Sequence, residues 1–156
     1  MLVQLDSNTG TRDFTATATG LPINPASLAR TGGPLPAVAV LGHPGRVAGL
    51  AAHLPHGWSL RRAAGLEDVL SGEIVLFAGA TEREIATARR VLASSTTIVA
   101  VVDEVAPAEL VAAVLTAGAD GCVRSGQPAI LAGHLVACRR RELTGRWSGL
   151  NIQGRR

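Results

Sequence analysis

The architecture this sequence predicts is α/β, a doubly wound, five-stranded parallel sheet, and three observations predict it. From Ala37 onward, short apolar runs rich in Val, Ile and Leu alternate with amphipathic stretches of helical period, as βαβ units require. The runs are continuously apolar rather than alternating, which suits strands covered on both faces. A chain of 156 residues, 47% apolar and 17% charged, is long enough for one cored domain, too short for two, and unlike a disordered chain in composition.

The elements follow in order. Residues 1–36 are rich in Thr, Gly, Pro, Ser and Asn without a sustained period, and read as a flexible arm. The first strand is expected at 37–41, and Pro44 suits the first turn of a helix running to about Leu54. A shorter strand at 58–62 and a short helix at 66–70 follow. Residues 73–78, Glu-Ile-Val-Leu-Phe-Ala, read as a central strand. Thr81 and Glu84 then fit a capping box, and Ile85, Ala88 and Leu92 mark the buried stripe of a third helix. A fourth strand at 97–102 leads to a fourth helix, opened by Pro107 and stopped by Gly118. A fifth strand at 121–124 precedes a last helix from Pro128 to the triplet Arg139, Arg140, Arg141. Five strands alternating with five helices make a flavodoxin-like layout, whose sites lie at the carboxyl ends of the strands. The expected organisation is an arm at 1–36, a domain at 37–141 and a tail at 142–156.

Composition excludes several functions. No apolar run approaches the length of a membrane span, and no secretory leader is visible, so a soluble, cytoplasmic protein without a membrane role is expected. Cys122 and Cys138 are too few for a disulfide framework or a four-thiolate zinc site, and read as small buried apolar residues. All fifteen basic residues are arginine, which excludes any lysine-dependent chemistry. The formal charge is +3, but the arginines are scattered and aromatics make up only 3%, so direct DNA or RNA binding is not expected.

The run Ala-Gly-Ala-Asp-Gly-Cys-Val-Arg-Ser at 117–125 resembles a passage between the fourth helix and fifth strand of response-regulator receiver domains. The resemblance extends over about 37–141 in element order and length. It implies a two-component signalling fold in which an aspartate ending the third strand accepts a phosphoryl group. An acidic pair after the first strand would hold Mg²⁺, a hard cation that takes oxygen ligands, and a hydroxyl and a lysine would hold the phosphoryl oxygens. Counted from the motif, the acceptor falls on Ala78, the acidic pair on Gly42 and His43, the hydroxyl on Asp103 and the lysine on Ser125. A methyl group accepts no phosphate, and the charge of Asp103 repels one. The resemblance therefore implies an atypical, phosphorylation-independent pseudo-receiver, not an enzyme, with no metal and no cofactor.

Other constellations are weaker. His53 and His56 flank Pro55, and neither they nor His134 have a neighbouring carboxylate or thiol to complete a tetrahedral metal site. His43 lies where ligands bind in this fold. Its loop, Gly-His-Pro-Gly-Arg at 42–46, places amides at a helix start, although Pro44 removes one of them. A small anionic metabolite near His43, Arg46 and Ser125 is thus the alternative function. Ser125 and Cys122 lie near strand ends without the strained elbow that marks a nucleophile.

The fourth predicted helix, 107–117, carries one charge in three turns and is apolar on more than one face. Leu110, Ala113, Val114 and Ala117 are expected on the sheet, which leaves Val111 and Leu115 pointing outward toward a partner. Receivers generally pair or grip an output protein through this helix, the fifth strand and the last helix. In that surface Cys122 takes the slot often held by an aromatic switch residue. The resemblance thus implies a homodimer or a contact with a signalling or transcriptional protein. The arginine triplet is expected to close the last helix, complementing its dipole. Residues 142–147 faintly resemble the opening of a LuxR-type DNA-binding domain, but the nine residues after Trp147 cannot form a helix-turn-helix.

Overall fold

Each apolar run becomes a strand within one or two residues of its expected bounds: β1 (Ala37–Gly42), β2 (Ser59–Arg62), β3 (Ile74–Ala78), β4 (Ile98–Val102) and β5 (Gly121–Arg124). All pair in parallel in the order β2-β1-β3-β4-β5, with Gly42 level with Ala78 and Ala78 level with Val101. The computed structural model describes residues 35–152, with side chains through Gly145. The expected arm therefore lies outside the described residues, apart from Leu35 and Pro36.

The helices are α1 (Leu50–His53), α2 (Glu82–Val91), α3 (Ala108–Thr116) and α4 (Pro128–Ile152). The two faces of the sheet are covered separately. Val38, Val40, Leu76 and Val99 pack with Leu50 of α1 and with Leu131, Leu135 and Cys138 of α4. Their neighbours in sequence, Ala39, Leu41, Phe77 and Ala100, pack with Ile85 and Ala88 of α2 and Val114 of α3. Alternate residues of each strand thus serve opposite cores, which makes the sheet doubly wound and explains its unbroken apolar runs.

Three helix expectations are corrected. The first predicted helix is broken: a 3-10 turn at Pro44–Val47 and the single turn α1 are separated at Gly49, whose φ of +78° interrupts the helical path. The second is only a 3-10 turn, Leu66–Asp68, because Gly65 and Val69 on either side are extended. The last helix does not end at the arginine triplet. It continues through Ile152, supported by an Arg139–Glu142 pair at 2.8 Å, so the triplet lies mid-helix and the dipole argument for it fails. Among the described residues no helix is long and apolar enough to cross a membrane.

The amino edge of the sheet is tied by arginines. Arg89 of α2 donates to the carbonyls of Gly118 (2.6 and 2.9 Å) and Thr96 (2.9 Å) and to the Asp120 carboxylate (2.7 Å). Asp120 in turn accepts from the Ile98 amide at 2.8 Å. A β-carbon on Gly118 would sit 3.0 Å from the Arg89 side chain, and its φ of +116° also favours glycine. The run at 117–125 therefore serves as a packing device joining α2, α3, β4 and β5. On the other side, Arg61 grips both carboxylate oxygens of Glu73 at 2.5 and 2.6 Å. Glu73 is only 6% exposed and also accepts from the Leu70 amide.

Candidate functional site at the carboxyl edge

The strand ends gather Gly42, His43, Ala78, Asp103 and Ser125 at the carboxyl edge. Ala78 ends β3 with its methyl in the core on the α1 and α4 side, and it is 2% exposed. Its carbonyl accepts from the His43 amide at 3.0 Å. Gly42 has φ +87°, and a β-carbon there would lie 2.5 Å from the Ala78 oxygen. The backbone at position 42 is thus set against any side chain, a carboxylate included.

Arg46 and Asp103 form an ion pair across this edge. β3 lies between the strands that carry them, so the arginine must cross the end of β3. Gly79 permits the crossing: a β-carbon at that residue would meet Arg46 Nε at 3.0 Å and His43 Cδ2 at 3.5 Å. Asp103 is 62% exposed, so the pair is solvated and its contribution to stability is small, about 0–1 kcal/mol. Its effect on the site is to cancel charge. Ser125 is half-buried, and its amide donates to the Val102 carbonyl at 2.8 Å.

Two clefts open here. The first, about 490 Å³, is lined by Leu41, Gly42 and His43 of the β1 end, Ala64, Gly65 and Leu66 of the loop after β2, Phe77 to Ala80, and Arg83, Glu84 and Thr87 of α2. The second, about 500 Å³, lies between Gly45, Arg46 and Ala48 on one side and Asp103, Ser125, Gly126 and Pro128 on the other. The trio expected to hold an anion is therefore divided: His43 faces the first cleft, while Arg46 and Ser125 face the second. Arg46 is already engaged with Asp103. Sequence reasoning missed that pair because its members are 57 residues apart. The only signal was a pair of opposite charges at two strand ends flanking a glycine.

The interaction surface is also redistributed. Val114 is fully buried beneath α3, and Leu110, Val111 and Ala117 flank it against the core, giving a stripe at i, i+1, i+4 and i+7. Val111 is therefore not outward-facing as expected. Leu115 is, at 42% exposure. Cys122 packs partly into the same core, and burial pushes its thiol pKa up. Cys138 is buried, and His43, His53, His56 and His134 are all exposed. Among the described residues no three His, Cys, Asp or Glu side chains come together as a metal-binding group.

No protein-family model matches this chain, and no curated protein is significantly similar to it. The functional reading accordingly rests on the geometry of the carboxyl edge.

Proposed function

We propose that this chain is a non-catalytic, receiver-like regulatory module of the cytoplasm, with its phosphoacceptor site lost, whose output is contact with a signalling or transcriptional protein and with a second copy of itself. The carboxyl edge carries this reading. A buried methyl stands at the end of β3, a backbone that excludes side chains stands at Gly42, and Arg46 and Asp103 are joined above them. The element order and the motif at 117–125 support the family resemblance, and the exposed Leu115 supports the contact surface. A metabolite held jointly by His43, Arg46 and Ser125 is disfavoured by their division between two clefts.

Incubation with acetyl phosphate and Mg²⁺, followed by intact mass measurement, tests the loss of chemistry: no adduct is expected, and an acid-labile gain of one phosphate overturns the reading. Light scattering of wild type and Leu115→Arg tests the contact. A larger species that falls to monomer in the variant is expected, and the same monomer for both removes the α3 homodimer.

A further inference from the structure

We propose that the cleft at the ends of β1 and β3 is a binding site for a small amphipathic anion, a flat apolar ring bearing a carboxylate, with Arg83 of α2 as its charge-recognising residue. The inference stands apart from the receiver reading, because it needs only the cleft. Strand order reverses between β1 and β3, and in open α/β sheets the crevice outside such a reversal is where ligands enter. Its volume of about 490 Å³ lies within the roughly 300–1,000 Å³ typical of small-molecule sites. The floor is apolar, formed by Leu41 and Phe77 at the strand ends and by Ala80 and Leu66 of the adjoining segments; Leu41, Phe77 and Ala80 are more than nine-tenths buried, so a ring would lie on this floor without a full stacking partner.

Of the polar groups that line the cleft, Arg83 is the cation left without a partner among the described residues. Glu84 is committed to the Thr81 amide at 2.9 Å and the Thr81 hydroxyl at 2.7 Å as part of the helix cap. Asp103 is committed to Arg46 outside the cleft. Arg83 has no hydrogen-bond or ion-pair partner among the described residues, and its planar guanidinium suits two oxygens of one carboxylate. Thr87, one turn further on α2, accepts weakly from Arg90 at 3.4 Å and keeps its own hydroxyl proton to donate. His43 offers a further donor at the rim. Three acidic groups lie close by: Glu84 lines the cleft, Asp68 accepts from the Ala64 amide at its wall, and the Glu67 carboxylate folds onto Gly65. They oppose an anion, and removal of the Glu67 charge should strengthen its binding.

The test is a two-dimensional ¹H–¹⁵N NMR titration of the full chain with 2-naphthoate, its neutral methyl ester and inorganic phosphate. Saturable 2-naphthoate shifts at the amides of Gly42, Gly65, Gly79 and Arg83 are expected. Loss of a charge-assisted pair should make Arg83→Gln bind 2-naphthoate about tenfold more weakly, with its affinity for the ester unchanged. Glu67→Gln should bind the acid more tightly. Thr87→Trp fills the cleft and should abolish binding of both aromatic compounds; Arg83→Gln, an exposed substitution, decides the matter if that variant fails to fold. Absence of shifts at these amides up to millimolar 2-naphthoate, equal affinity in Arg83→Gln, or a response to phosphate alone overturns the proposal.

Discussion

The two edges of the sheet treat charge in opposite ways. At the amino edge, Arg89 and Arg61 are each held by several acceptors, among them the Asp120 and Glu73 carboxylates, and Glu73 is nearly inaccessible. At the carboxyl edge, the Arg46–Asp103 pair stands in solvent above glycines, and Arg83 faces open space. Charges held by several acceptors lock a structure, whereas a single ion pair with a solvated partner contributes little to stability and stays available to a ligand or partner. The amino edge therefore maintains the fold, and the carboxyl edge is where the proposed readings place the function. The motif behind the receiver resemblance belongs mainly to the first: Gly118 and Asp120 serve packing, and only its end, Ser125, reaches the second.

Substitutions on the two edges should separate accordingly. The largest loss is expected from Arg89→Leu, which removes the donors to two carbonyls and the ion pair with Asp120; charge-assisted bonds of this kind put it at about 3 kcal/mol in urea unfolding. Gly42→Asp is the exception that sharpens the contrast. Placing an acid at the carboxyl edge forces a side chain onto positive φ and into the Ala78 oxygen, with an expected loss of about 2–3 kcal/mol and no gain of Mg²⁺ binding by calorimetry.

Glu73→Gln should lower stability by about 2 kcal/mol at neutral pH, and its pH dependence is signed. The hydrogen bonds from Arg61 hold the Glu73 pKa below its ordinary 4.5, against the opposing effect of burial. Its stabilisation is thus complete above the unfolded-state value and fades as pH falls through the folded one. The difference between wild type and variant should be constant above about pH 5 and shrink below it; a difference that grows toward acid contradicts the assignment. Arg46→Ala should be the mildest, within about 1 kcal/mol, because its partner is solvated. A loss as large as that of Arg89→Leu breaks the distinction between the edges.

What the sequence disclosed follows from the same physics. The strands β1, β3 and β4 were legible because two-sided burial leaves no polar residue in them, and the α2 start because Thr81 and Glu84 cap it locally. The first helix was not, since a glycine at positive φ breaks a pattern that looks continuous by composition. Val111 was misplaced because an almost wholly apolar helix carries no polar face to fix its rotation. The positions at the carboxyl edge were legible through element order and the count from the motif at 117–125. Their pairing was not, because Arg46 meets Asp103 only once β3 lies between their strands and ends in Gly79. Arg83 gave no signal, having no partner among the described residues to mark it.

The most direct test of the central claim is residue-resolved. Beryllofluoride with Mg²⁺ imitates a phosphoryl group on a carboxylate, and adding it to the ¹⁵N-labelled chain reads the amides of Gly42, Ala78, Gly79 and Asp103 individually. With a methyl at Ala78 and an occupied Arg46–Asp103 pair, these signals should stay unmoved. Saturable, Mg²⁺-dependent shifts centred on them would contradict the account.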